Sequence, residues 1–284
     1  MRCGCELRQR APATPCASFT LCARHSDGGL PTDPYFGNGI TELLKRLQPQ
    51  AVAFNGWPTF NSTAARWIGT EAGQAPDPTW SSGSCGRGNQ VCADCKGGNG
   101  GDPNDPDWCP AEVDSTLQLF DTWFYVKGCP LHPLKDLVDS YHFSLGRNSN
   151  WLLDIAPPPN STVAPSHAQS YMEFGAWLRD CYGGTPVAHG RMAPSQTSLT
   201  VALSGGASFN RVRLVEDISQ GQLVHAYSVS STGAVGGGMA VSAGTSIGAG
   251  KIDVLAAPVT AVNVTLTVDA PPLGLTMELF FCAL

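Results

Sequence analysis

Apolar residues recur with helical spacing through the middle of this chain and stop doing so at about Thr197, so any fold must join two different architectures. In GNGITELLKRLQ, Ile40, Leu43, Leu44 and Leu47 fall at i, i+3, i+4 and i+7, the spacing of a helix with one buried face, and Pro49 ends it. Ala51-Val52-Ala53-Phe54 then reads as a short strand with little polarity, the kind buried on both faces of a parallel sheet. The unit returns downstream. Leu134, Leu137, Val138, Tyr141 and Leu145 keep helical spacing, Gly146 suits the C-terminal end, and Trp151-Leu152-Leu153-Asp154-Ile155 follows as a strand. A third helix is expected from Pro165, favourable at a first helical position, through Tyr171, Phe174 and Leu178 to Gly183-Gly184.

Beyond Thr197 only short β-rich runs remain, at 198–203, 209–216, 223–229, 259–268 and 275–281, separated by Gly, Ser and Pro. They predict an antiparallel sandwich over 195–284, with Phe209, Val212, Leu214, Val224, Val264 and Leu266 inward. The boundary is expected in the polar stretch 188–196. The Gly-rich piece 233–250 reads as loop or weak strand, without a phosphate-loop or dinucleotide-binding pattern.

Charge excludes one class of partner. Of the 284 residues, 17 are Lys or Arg against 23 Asp or Glu, a net charge of −6, so no basic excess exists to neutralise a phosphate backbone, and nucleic acid is not expected as a partner. No apolar stretch approaches the ~20 residues that cross a bilayer, so no membrane association is expected. The first 26 residues are expected to be irregular and Cys-rich, with Cys3, Cys5, Cys16 and Cys22, and Pro12 and Pro15 interrupt what a signal peptide would keep apolar. Asn61-Ser62-Thr63, Asn160-Ser161-Thr162 and Asn263-Val264-Thr265 satisfy the N-glycosylation acceptor pattern. Cys85, Cys92, Cys95 and Cys109 lie in a Gly- and Asp-rich stretch with a single CxxC pair; disulfides are the preferred reading there, and a zinc site stays open. His132, His142 and His167 sit on or beside helices, where a structural role outweighs ligation.

Chemistry concentrates in RWIGTEAG. Glu71 follows the strand and loop at 51–57, and in α/β barrels the loops leaving the C-terminal ends of parallel strands carry the reacting groups. Asp27, in Ser26-Asp27-Gly28-Gly29, stands upstream before two glycines, where an ordinary turn is equally compatible. Two carboxylates on neighbouring strand ends suit glycoside hydrolysis, one attacking the anomeric carbon and the other protonating the leaving oxygen.

The segments DGGLPTDPYFGNGITELLKRLQPQAVAFNG, ARWIGTEAGQAPDPTW, WCPAEVDSTLQ, TWFYVKG and LKDLVDSYHFSLGRNSNWLLDIAPPPN, in this order, resemble the retaining α-L-fucosidase family of glycoside hydrolases. FNRVRLVEDISQGQ and GTSIGAGKI are similar to that family's C-terminal β-sandwich. The resemblance implies an α/β fold, a partial (β/α)8 TIM-type barrel over 27–190 followed by an antiparallel β-sandwich over 195–284. It implies removal of terminal α-L-fucose from a fucosylated oligosaccharide or glycoconjugate by retaining double displacement, with no cofactor and no metal. Asp27 falls on the family's nucleophile, although His25-Ser26 departs from the preceding Trp-Phe. Glu71 falls on the acid/base of one branch, with Thr70 in place of Asn, and Glu112 is the reserve for that role. Arg66 and Trp123 are the expected substrate-binding residues beside it, Arg66 having a structural ion pair as its equal alternative. A secreted or lysosomal/vacuolar location is implied. Residues 27–190 hold only three or four βα units of eight, so the first half of the barrel is expected to be absent and the activity of this chain uncertain. A non-catalytic carbohydrate-binding protein and a zinc-stabilised interaction module are the alternatives.

Overall fold

The computed structural model describes residues 20–22, 43, 46–50, 52–54, 64–68, 70–83, 100–233 and 238–283. Five parallel strands form one sheet in chain order: β1 (Thr20–Cys22), β2 (Val52–Phe54), β3 (Ala64–Trp67), β4 (Ala111–Thr116) and β5 (Ser149–Asp154). β1 arises inside the first 26 residues, read from sequence as irregular; it pairs with β2 through backbone bonds, which need no apolar alternation. Of the helix expected at 40–47, the described residues Leu43, Arg46 and Leu47 are helical.

Helix α1 (Leu134–Ser144) connects β4 to β5, and α2 (Pro165–Tyr182) follows β5. The predicted ends hold for physical reasons. Pro165 sits in the first turn of α2, where a missing N–H costs nothing, and Gly183 is its C-cap. Gly146 follows α1, where a side chain would run into the His142 carbonyl. The helices bury Leu137, Val138, Phe174 and Trp177 together with Leu117, against the partly buried Trp151 and Leu153 of β5.

Eight further strands form two four-stranded sheets with antiparallel pairing. One has the order β10-β9-β12-β7, from β7 (Ser198–Ala202), β9 (Tyr227–Thr232), β10 (Gly238–Gly244) and β12 (Asn263–Val268). The other has the order β11-β8-β13-β6, from β6 (Ala188–Met192), β8 (Ser208–Glu216), β11 (Lys251–Thr260) and β13 (Leu275–Phe280). Phe209, Val212 and Leu214 of β8 share one core with Val264 and Leu266 of β12 and with Val224, and all six are 0% exposed. Alternation puts Val212 with Leu214, and Val264 with Leu266, on one face of each strand; Phe209, three residues before Val212, joins them across an irregularity in the β8–β11 pairing. β6, in the stretch read as a polar boundary, pairs with β13 and buries Ala188 and Met192 at its ends.

The two halves are joined covalently and by polar groups. Cys181 at the end of α2 is bonded to Cys282 just beyond β13. Asn148 donates to the Thr79 carbonyl at 3.0 Å and accepts from the Ala249 N–H at 2.8 Å, linking the segment after β3 to that before β11. Lys251, itself buried, pairs with Asp77 at 2.6 Å.

His142, 4% exposed on α1, meets the Tyr182 hydroxyl at 2.7 Å. Burial, then the charge of Arg211, lowers its pKa from 6.5 to about 4, with Asp139 and a backbone bond to Val138 opposing. Between pH 4 and 6.5 the unfolded chain therefore binds the proton and the folded one does not, so this group's contribution is full above 6.5 and lost on acidification. A pKa difference of this size corresponds to about 3 kcal/mol. Urea unfolding from pH 7 to 4 is expected to show a steeper loss for the native chain than for His142→Phe; equal slopes would remove His142 from that account.

Candidate active site

The site forms where the chain leaves β3. Trp67 is level with Glu112 in the parallel register, and the Ile68 N–H still bonds the Glu112 carbonyl at 3.0 Å. The chain then reverses: Ala72 bridges Ser115 in antiparallel fashion and the Gly73 N–H bonds the Asp114 carbonyl at 2.9 Å. Glu71 stands at the turn, level with the C-terminal end of β4.

Its partner comes from the loop after β4. The Trp123 indole N–H donates to Glu71 Oε2 at 2.7 Å and is shared with Asp121 Oδ1 at 2.9 Å. Gln118, 1% exposed, shapes this loop by donating to the Thr122 and Phe124 carbonyls at 3.1 and 2.9 Å and accepting from the Val126 N–H at 3.0 Å. Phe120 and Asp121 take positive φ of 65° and 53°, a conformation L-residues hold only when the surroundings impose it. Glu71, Thr116, Asp121, His132, Asp136 and Ser140 line a cavity of about 430 Å³, within which His132 Nδ1 lies 3.1 Å from Asp136 Oδ2. A carboxyl held by a rigid N–H donor beside such a cavity can exchange a proton with a bound molecule.

The structure thus brings together two of the expected site residues, Glu71 and Trp123. Asp27 lies outside the described residues. Glu112 is separated from Glu71 by height: it is the second residue of β4, four residues below Thr116, or ~13 Å at the rise of a strand. It faces the same way as Asp114, which accepts from the Trp67 indole N–H at 2.9 Å. Only 4% exposed, Glu112 accepts from the Asn150 amide at 2.6 Å through Oε2, while Oε1 has no hydrogen-bond partner. Burial pushes this carboxyl up; the Asn150 bond opposes, and the Asp114 charge adds to the rise. Glu112, the reserve for the acid/base role, thus lies low on β4, below the level of Glu71.

Arg66 is held by backbone carbonyls, in the structural manner that was its equal alternative. On a strand its side chain points to the face opposite Trp67. The guanidinium donates to the Trp80 carbonyl at 2.7 Å and to the Cys109 carbonyl, and burial lowers its pKa to about 10. Gly101, with φ +82°, leaves room: a Cβ there would lie 2.8 Å from Arg66 Nη2. Arg66 is therefore a clamp between the segments around 80 and 109. Trp80 packs edge-on against His225 at 5.1 Å and is 6% exposed, as a core residue.

Cys109 is disulfide-bonded, in line with the disulfide reading; Cys85, Cys92 and Cys95 lie outside the described residues. Among the described residues no group of three or more His, Cys, Asp or Glu side chains is placed to hold a metal ion. No described helix is long and apolar enough to cross a membrane. Sequence reasoning missed Asp121, whose only signal is closeness to Trp123, and Gln118, which has no local signal.

No family model matches the sequence. Over 142 residues, 49% of its length, the chain is 35% identical to α-L-fucosidase 1 of Arabidopsis thaliana, a stretch that spans 26% of the plant protein. Among solved structures, a Bacteroides thetaiotaomicron protein provisionally assigned as an α-L-fucosidase superposes with a TM-score of 0.75 at 25% identity, covering 85% of this chain and 56% of that one. A Ruminococcus gnavus GH29 fucosidase, solved in complex with fucose, gives a TM-score of 0.68 over 82% of this chain and 53% of its own. Its 19% identity speaks to the fold alone. Over the part of its length that these matches cover, the chain is similar to α-L-fucosidases, and it spans about a quarter of the length of the plant relative.

Proposed function

We propose that the chain carries both carboxyl groups, Asp27 and Glu71, of a fucosidase-type glycoside hydrolase acting on terminal α-L-fucose of glycans. The observation that carries this reading is the 2.7 Å bond from the Trp123 indole to Glu71 at the C-terminal end of a parallel sheet, beside a cavity. In the first step an Asp27 carboxylate attacks the anomeric carbon while Glu71 gives its proton to the departing oxygen. In the second, Glu71 takes a proton from water, which displaces Asp27 and restores the starting configuration. Trp123 presents its indole N–H to Glu71 and a flat apolar surface to the sugar.

On this reading the five parallel strands in chain order are an arc of a (β/α)8 barrel, and the two antiparallel sheets around one core are the β-sandwich. Two observations support the arc. β5 ends the described sheet with Leu152 36% exposed, and Glu112 keeps a buried oxygen without a partner, as on a face that further strands would cover. A glycoprotein in a secreted or lysosomal/vacuolar compartment fits the disulfides at Cys109 and Cys181–Cys282.

The test is the anomer released. Hydrolysis of an aryl α-L-fucoside followed by proton NMR is expected to yield α-fucose first, the β anomer growing in later by mutarotation. Initial β-fucose would refute retention, and absence of any hydrolysis would refute catalysis by this chain.

A further inference from the structure

We propose that Asn160 is the acceptor of an N-linked oligosaccharide, on the β5–α2 loop at the same end of the parallel sheet as Glu71. The inference does not rest on the fucosidase reading. Residues 159–163 are exposed without interruption between β5 and α2. Within them Asn160 Oδ1 accepts from the Thr162 hydroxyl at 2.8 Å and from the Thr162 N–H at 3.3 Å, a turn closed on the asparagine side chain. Ser161 has φ +59°, and its N–H bonds the Pro158 carbonyl at 2.8 Å, so the run of prolines holds the tripeptide as a projecting turn.

The geometry suits the transfer. Both bonds engage Oδ1, the hydroxyl two residues on is already beside the carboxamide of the exposed Asn160, and Nδ2 has no hydrogen-bond partner among the described residues. Nδ2 would form a bond to C1 of a lipid-diphosphate-linked oligosaccharide and release one proton to the transferase. The C1–O bond to the diphosphate breaks, and the lipid diphosphate leaves with the electron pair.

Two further observations set Asn160 apart. The disulfides at Cys109 and Cys181–Cys282 belong to an oxidising compartment, where such transfer takes place. Asn263, by contrast, begins β12, which is paired on both sides, opposite Thr232 and Ala202; it is only half-exposed, and the Thr265 hydroxyl that would serve it is bonded to Thr200 at 2.8 Å. Asn61 lies outside the described residues.

The full chain, translated behind a cleavable secretion signal with microsomes, tests this without any need for activity. In the protease-protected fraction, endoglycosidase H is expected to remove a mobility shift and to leave one N-acetylglucosamine on the Asn160 peptide. Asn160→Gln and Thr162→Ala should each lose one glycosylation step, whereas Ser161→Ala and Asn263→Gln keep the native pattern. Mass spectrometry of the Asn160 peptide separates loss of the acceptor from a variant that fails to fold. A protected chain whose Asn160 peptide is unmodified, or an Asn160→Gln variant that migrates with the native chain, would overturn the assignment.

Discussion

Glu71→Gln is expected to lower kcat/KM on a fucosylated oligosaccharide by about 10²–10⁴, the range a positioned general acid supplies. An amide of nearly the same shape still accepts the Trp123 N–H through its carbonyl oxygen, so the 2.7 Å contact survives and only the transferable proton is lost. The effect should depend on the leaving group. An oligosaccharide departs as a poorly stabilised alkoxide and needs the proton, whereas an acidic phenol departs without it. Cleavage of an aryl fucoside should therefore fall much less in its first step, and azide, which needs no base, should accelerate the second step and yield fucosyl azide. Equal losses on both substrates, with no response to azide, would assign Glu71 a structural part only. Glu112→Gln is the control, because its position low on β4 predicts no such dependence on the leaving group.

The second large effect concerns the bond between the two halves. Cys181 and Cys282 are 101 residues apart, and closing a loop of ~100 residues removes chain entropy from the unfolded state equivalent to about 4.7 kcal/mol. The bridge sits in a cluster with Phe174, Trp177 and Phe280, so its ends are packed on both sides. The Cys181→Ala/Cys282→Ala double variant leaves no buried thiol and isolates the crosslink. At ~2–4 °C per kcal/mol for chains somewhat smaller than this one, a fall in Tm of roughly 10–20 °C is expected by calorimetry. A shift below ~3 °C would mean that the Trp177 bond to the Ala283 carbonyl and the surrounding apolar contacts hold the C-terminal segment without the crosslink.

Local chemistry made several elements legible beforehand. Pro165 and Gly183 bracket α2 because one lacks an N–H where none is needed and the other suits a helix end. The alternation of Val264 and Leu266 reported a strand with one buried face, and both are fully buried. β6 and β10 left no such trace. The AHGRM of β6 and the Gly-rich β10 are strands because neighbouring strands supply backbone partners, a property absent from their side chains.

The same division runs through the site. Sequence alone put Glu71 on a loop leaving a parallel strand, expected at 51–57 and found at β3, while Trp123 was singled out by the family resemblance. Only the tertiary structure decided that they meet, across 52 residues, through a loop whose shape depends on the buried Gln118. It also fixed the positions of Arg66, close to Glu71 in sequence, and of Glu112, the reserve that the resemblance implied. Strand alternation turned Arg66 to the other face, and parallel register set Glu112 ~13 Å down β4. The pairing of Cys181 with Cys282 was likewise beyond any spacing rule. Register, loop closure and disulfide partners are relations between distant segments, and their energies come from contacts that exist only after the chain has folded.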